Sequence, residues 1–211
     1  MKKTVLLIFA LSSGLLLKAQ DIIPAKKSML GFYNTSTFSA MPVIRTNSNY
    51  YNYDLIYYPV QQEARAAYSV RNTSGYRFFD ALNVGLGTGL ENFESSALLI
   101  PVYAEISGNM LNKRFTPVYY VQVGYDAAVN ISSKNQSYRP KKVEGGLSTL
   151  AGIGFGARLD KSTVLRLNFG YRLQQASYTY DYLIYGQTGS IQTRNMTYHR
   201  AEVGLSFTFQ K

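Results

Sequence analysis

Acids and arginines recur at every second position along several stretches of this chain, each alternating with apolar or small residues. They are Glu63, Arg65 and Arg71, then Glu91, Glu105 and Asp126, and finally Arg158, Arg166, Arg172, Arg200 and Glu202. Placed on one side of neighbouring strands, these five acids and six arginines would share an interior. Charges taken out of water there must pair or bear a desolvation cost. Every one of the bases is Arg, whose planar fork meets a carboxylate with two hydrogen bonds. The chemistry expected is ion pairing, either as a salt-bridged filling or as the lining of a narrow ion path. His199 is the sole histidine, and cysteine is absent. A serine hydrolase acting on lipid would need His199 beside a serine and an acid, yet by alternation Glu202 and Ser206 fall on the opposite face. A transition-metal site needs several nitrogen or sulfur ligands, so no metal and no cofactor is expected. Asp54, Glu144 and Asp181 lack the spacing of a calcium-binding loop.

The elements that must carry these residues are strands. From Ala201 the odd positions read Ala201, Val203, Leu205, Phe207 and Phe209, and the even ones Glu202, Gly204, Ser206 and Thr208 after Arg200. That is a strict period of two. The same alternation predicts strands over Met29–Ser39, Glu63–Arg71 with an extension through Tyr76-Arg77-Phe78, Leu82–Glu91, Ala97–Asn109, Phe115–Val129, Gly145–Leu159 and Leu165–Gln174 with an extension through Tyr182. Gly85, Gly87 and Gly89 share the polar face of one strand, which must leave room there for bulky neighbours or bend sharply. The connections alternate in length. Long ones are expected over Ala40–Gln62, Asn130–Glu144 and around Gly186, a medium one over Asn92–Ser96, and short ones near Asp80, over Leu111–Arg114 and over Asp160–Ser162.

A soluble sheet would bury its apolar face under a second layer. An antiparallel up-and-down transmembrane β-barrel of about eight strands instead turns that face to lipid and its polar face to the lumen, with short turns at one end and long loops at the other. An eight-stranded barrel is only wide enough to be filled by its own side chains. The first residues, Met1-Lys2-Lys3, the apolar run from Thr4 to Leu17, and Lys18-Ala19-Gln20, have the three parts of a secretory signal peptide. The run is shorter than the ~20 residues a membrane-spanning helix needs. Residues 1–19 are therefore expected to be removed, leaving one barrel domain over 20–211. The chain is basic, with 22 Lys and Arg against 12 Asp and Glu. Export makes nucleic acid a poor partner, whereas the phosphates of anionic lipid or lipopolysaccharide would attract the same charge. Lys134, Arg139, Lys141 and Lys142 are read either as the group that holds such phosphates or as a solvated basic loop. Of the 19 tyrosines, Tyr119, Tyr125 and Tyr171 suit the aromatic belts at the membrane interfaces. Tyr50, Tyr51, Tyr53, Tyr57, Tyr58, Tyr180, Tyr182 and Tyr185 suit outer loops. There they form either a recognition surface or, as the alternation of Tyr178, Tyr180 and Tyr182 favours, strands continued above the membrane.

Gly75-Tyr76-Arg77-Phe78, Val84-Gly85-Leu86-Gly87, Pro101-Val102-Tyr103, Thr116-Pro117, Gly124-Tyr125, Gly152-Ile153-Gly154, Gly170-Tyr171-Arg172 and the closing Val203-Gly204-Leu205-Ser206-Phe207 together resemble the small outer-membrane β-barrel proteins of the Bacteroidota. The resemblance runs from about Tyr68 to Phe209. It implies an eight-stranded, porin-like barrel in the bacterial outer membrane, inserted by the barrel assembly machinery, for which Phe207 and Phe209 would be a mark. It brings no catalytic residues. The expectation is a monomeric, non-enzymatic barrel with a filled, salt-bridged lumen and a structural or surface-interaction role through its outer loops. The alternatives are an envelope-lipid-modifying enzyme or a small channel.

Overall fold

Alternating apolar and polar residues dictate strands whose two faces meet different surroundings, and a closed sheet is the form in which such strands leave no unpaired edge. The computed structural model describes residues 30–49, 66–93, 97–111, 113–130, 142–160, 162–182 and 190–210. Among them the regular elements are all strands: β1 (Gly31–Met41), β2 (Val43–Asn49), β3 (Ala67–Phe79), β4 (Leu82–Phe93), β5 (Ala97–Asn109), β6 (Phe115–Asn130), β7 (Lys142–Glu144), β8 (Leu147–Arg158), β9 (Thr163–Tyr182) and β10 (Ser190–Gln210).

Every neighbouring pair is antiparallel, and β1 pairs with both β3 and β10, so the sheet closes on itself. Two of the ten strands continue others. β2 prolongs the line of β1 along β10, and β7 prolongs that of β8 along β9, giving a barrel of eight staves. The breaks have local causes. Pro42 has no N–H for the ladder, and its carbonyl accepts from the Ala201 N–H at 3.0 Å where the β10 register shifts. At Gly145 a Cβ would lie 1.5 Å from the Asp126 carbonyl oxygen, so the chain passes there only as glycine.

The faces are inverted relative to a soluble sheet. Phe32 is 73% exposed and Leu86 72%, whereas Glu91 and Asp126 are 0% exposed. Outward residues include Val102, Val123, Ile153, Phe155, Phe169 and Leu205, which is the lipid-facing pattern of a transmembrane barrel. Inside, the small residues make room for large ones. A Cβ on Gly87 would lie 2.3 Å from the Tyr103 ring and one on Gly152 would lie 2.4 Å from that of Tyr120. Of the two expectations for the glycine-rich face, space for bulky neighbours is the one realised.

Several boundaries differ from those expected. Ala40 and Met41 end β1 and residues 43–49 form β2, so the first long loop is shorter than Ala40–Gln62; residues 50–65 lie outside the described residues. β3 starts at Ala67, β4 runs on to Phe93, and Asn130 and Lys142–Glu144 are strand, not loop. The expected extension through Tyr182 is present: Tyr178–Tyr182 belong to β9 and Ser190–Thr197 to β10, pairing from Thr163↔Phe209 to Tyr182↔Ser190. Residues 183–189, Tyr185 and Gly186 among them, lie outside the described residues.

Candidate functional site

The inward faces stack into layers along the lumen. Nearest the outer end lies an apolar cluster of Leu99 on β5, Val143 on β7, Ala176 and Tyr178 on β9, and Met196 and Tyr198 on β10. The hydroxyls of Tyr178 and Tyr198 are 2.8 Å apart. Beneath it the Arg200 guanidinium lies 5.1 Å from the centre of the Tyr198 ring, a cation–π contact that eases the step from apolar to charged surroundings.

The first charged layer is built by β4, β6, β9 and β10. Arg172 reaches across the lumen and divides its fork, Nη1 to Glu91 Oε2 at 2.5 Å and Nη2 to Asp126 Oδ2 at 2.7 Å. Arg200 Nη1 meets the other Glu91 oxygen at 2.9 Å. Gln174 Nε2 donates to Asp126 Oδ2 at 2.6 Å, and the Ser148 hydroxyl donates to Asp126 Oδ1 at 3.0 Å. Two guanidiniums and two carboxylates balance here. Such geometry is what buried ions require if their attraction is to offset desolvation.

The second layer is one step nearer the turns. Arg71 on β3 pairs with Glu202 on β10 and donates from Nη1 to Gln122 Oε1 at 2.7 Å. Gln122 Nε2 donates in turn to Glu105 Oε2 at 2.7 Å, while Thr73 Oγ1 lies 2.9 Å from the Tyr103 hydroxyl. Arg71, Tyr103, Gln122 and Arg172 border a gap of about 10 Å³, no more than one water molecule occupies. Towards the turns Asn168 Nδ2 donates to Ser206 Oγ at 2.5 Å and Thr35 lies 2.9 Å from Thr208.

At the turn end Arg77 donates to Asn83 Oδ1 at 2.9 Å and Gln210 Oε1 at 3.0 Å, with Asp80 3.9 Å away. Arg77 lies outside the expected set, yet counting by twos from Arg71 through Thr73 and Gly75 reaches it. Arg158 and Arg166 also point inward but join no ion pair among the described residues. The carboxylates Glu91, Glu105, Asp126 and Glu202 are taken by the two layers above. Glu202 does not pair with Arg172 or Arg166 on the adjoining strand. It meets Arg71 instead, because β10 sets Gly170 directly opposite Glu202 and Arg172 is committed across the lumen. Glu63 and Arg65 lie outside the described residues, as do Lys134, Arg139 and Lys141. Lys142 is described, exposed on β7 and paired with Glu144.

His199 stands on the outer wall between β2 and β9. Its Nε2 is 3.0 Å from Asn47 Nδ2 and its Nδ1 is 2.5 Å from the Tyr171 hydroxyl. Both ring nitrogens are occupied, and Glu202 and Ser206 are buried on the lumen side. The arrangement orients the ring between Asn47 and Tyr171.

The outward face changes character at this height. On β9 the outward series Leu167, Phe169, Tyr171 and Leu173 gives way to Gln175, Ser177 and Thr179; on β10 Leu205, Val203 and Ala201 give way to His199, Thr197, Asn195 and Thr193. Inward, charge gives way to Ala176, Tyr178, Met196 and Tyr198. Below the crossover the wall is apolar outside and charged inside, and above it the polarity is reversed. A sheet reverses in this way where its outer surroundings change from hydrocarbon to water.

No family model and no curated protein matches the sequence. Among solved structures the chain is similar to the outer membrane protein OprG from Pseudomonas aeruginosa, at TM-score 0.57 and 12% identity over 90% of this chain and 100% of that one. It is also similar to Neisserial surface protein A (NspA), at TM-score 0.53 and 12% identity over 88% of this chain and 100% of that one. At such identity the likeness is one of fold. The chain has the closed eight-stranded antiparallel barrel fold of these outer-membrane proteins, with ion pairs buried in its lumen.

Proposed function

We propose that the protein is a monomeric barrel of the bacterial outer membrane, of the Bacteroidota type, that works as a structural or surface-interaction protein and neither conducts nor catalyses. On this reading residues 1–19 direct export and are removed, and the assembly machinery inserts the remaining barrel. The observation that carries the reading is the filled lumen, two interlocked charged layers beneath an apolar cap. Solute flow would have to break buried ion pairs.

What remains available for interaction is the part above the crossover. β9 has 20 residues and β10 has 21. At ~3.3 Å per residue and a tilt of ~40° they climb about 50 Å, roughly twice the ~25 Å apolar band of an outer-membrane barrel. The protruding sheet β2-β10-β9-β7 carries polar outward residues, and β7 begins at Lys142, the last in sequence of Lys134, Arg139, Lys141 and Lys142, whose charges suit lipopolysaccharide phosphate. The occupied ring nitrogens of His199 favour a structural role for it over hydrolysis of envelope lipid.

Planar-bilayer recording tests the seal. Folded protein is expected to give silent traces from −100 to about +100 mV at the field strengths used for membrane proteins, and discrete steps that disappear with the barrel would favour the channel. Binding of purified lipopolysaccharide to protein in detergent is expected to weaken about tenfold when Lys134, Arg139, Lys141 and Lys142 are all changed to Gln, at roughly 1 kcal/mol or less for each exposed contact. Unchanged binding would remove that surface from the account.

A further inference from the structure

The interior is not neutral from end to end. Glu91, Asp126 and Glu202 lie in direct ion pairs with Arg172, Arg200 and Arg71 in the two upper layers, and Glu105 is tied to Gln122 and Thr73. The remaining inward guanidiniums among the described residues, those of Arg77, Arg158 and Arg166, gather at the turn end, close enough for Arg158 and Arg166 to repel Arg77. Arg77 has two amide acceptors and Asp80 at 3.9 Å. Arg166 is only 5% exposed, joins no ion pair among the described residues, and its Nε has no hydrogen-bond partner. Glu105 attracts it through space but is held by Gln122 and Thr73. A second buried donor beside this cluster, Gln210 Nε2, is likewise without a partner, on the amide whose oxygen binds Arg77.

A buried, unpaired cation is the costly arrangement, whereas the same cation facing an anion is not. The free Nε edge of a guanidinium presents two parallel donors, matched to two oxygens of one anion. We propose that the turn end of the lumen is a site for a phosphate-type oxyanion, gripped by Arg166 and reached from solvent past the partly buried Arg158. The ion supplies the negative charge that the chain places at the other end of its own lumen. A free phosphate or the headgroup of a phospholipid in the adjoining leaflet has the same chemistry.

The test follows the arginine Nε–H resonances of the full barrel in non-ionic detergent at fixed ionic strength, titrated with inorganic phosphate or chloride. Phosphate is expected to shift Arg166 and Arg158 saturably and chloride to do so at least tenfold more weakly. Arg166→Gln should abolish saturation. Arg158→Gln, whose side chain is only partly buried and less critical to folding, should weaken it several-fold, and Arg45→Gln on exposed β2 should not change it. A parallel arm compares bilayers of phosphatidylcholine alone with bilayers that include phosphatidylglycerol, without added phosphate. A shift on adding phosphatidylglycerol assigns the headgroup as the source, and a shift with inorganic phosphate alone assigns the free ion. If neither moves Arg166, or if both arginine variants keep the full response, the site does not exist and Arg166 is held by water.

Discussion

Glu91 joins more of the interior than any neighbour on its strand, since Arg172 and Arg200 divide its two oxygens and Gln174 adds a bond at 3.2 Å. Removing one partner of a buried ionic group leaves the others uncompensated at about 3 kcal/mol. Glu91→Gln, which keeps the shape and loses the charge, is expected to lower barrel stability by about that amount in urea unfolding from lipid vesicles; a change within experimental error would mean that the layer is hydrated. Asp160 shows the opposite setting, a fully exposed turn. Its carboxylate accepts the Ser162 N–H at 2.6 Å, the Ser162 hydroxyl at 3.0 Å and the Thr163 N–H at 2.8 Å. The Ser162 N–H, then its hydroxyl, hold the Asp160 carboxyl below the usual carboxylate range. Because the folded value is depressed, the turn gains from the charge above the ordinary Asp range of ~4 and loses it as pH falls through the lowered value. Carbon NMR titration of Asp160 is expected to give a midpoint below that of Asp160 in a Ser162→Ala variant, which loses the hydroxyl and keeps the N–H; equal midpoints would refute the hydroxyl's part. At this scale parity alone puts Glu91, Glu105, Asp126 and Glu202 on the side that is buried, while Arg77 escaped it and Glu63 and Arg65 lie outside the described residues. Which pairs they form was not legible, since Arg71, Glu202 and Arg172 choose partners across the lumen, and that depends on the stagger of the closed sheet.

The strands through the apolar band were readable because one face meets lipid and the other a packed interior, so every residue is sorted. Leu147 to Arg158 shows this in its alternating exposed and buried residues. Above the band the legibility divides: the alternation of Tyr178, Tyr180 and Tyr182 points to the strand that β9 continues there, whereas β2 gives no such sign. Val43–Asn49 carries Asn47, Asn49, Thr46 and Ser48 and looks like a loop, because above the lipid its outward face meets water and needs no apolar residue. Its pairing with β10 decides the structure instead. The same logic separates the apolar cap from the charged layers energetically. Met196, 6% exposed within the cluster, is predicted to tolerate Asp poorly but locally. Met196→Asp should loosen the β9–β10 extension, seen as faster amide exchange over residues 174–182 and 190–198, while amides of residues 163–172 keep their protection. Loss of protection throughout would show that cap and barrel fold as one unit.

For the whole molecule, the residue types and the elements converge on one arrangement, an eight-staved barrel inverted at Leu173 and His199, with lipid below that line and water above it. The balance of charge in the lumen, the outward polarity of the extension and the apolar cap all depend on where that line falls. Nitroxide labels placed one at a time along the outward face measure it most directly in reconstituted bilayers. Labels at Leu86, Val123, Ile153 and Leu205 are expected to collide with oxygen dissolved in lipid and to be shielded from a water-borne nickel chelate. Labels at Gln175, Thr179, Thr193 and Asn195 are expected to show the reverse, with the crossover at Leu173 and His199. Equal access of the water-borne chelate to both sets would contradict the account at its centre.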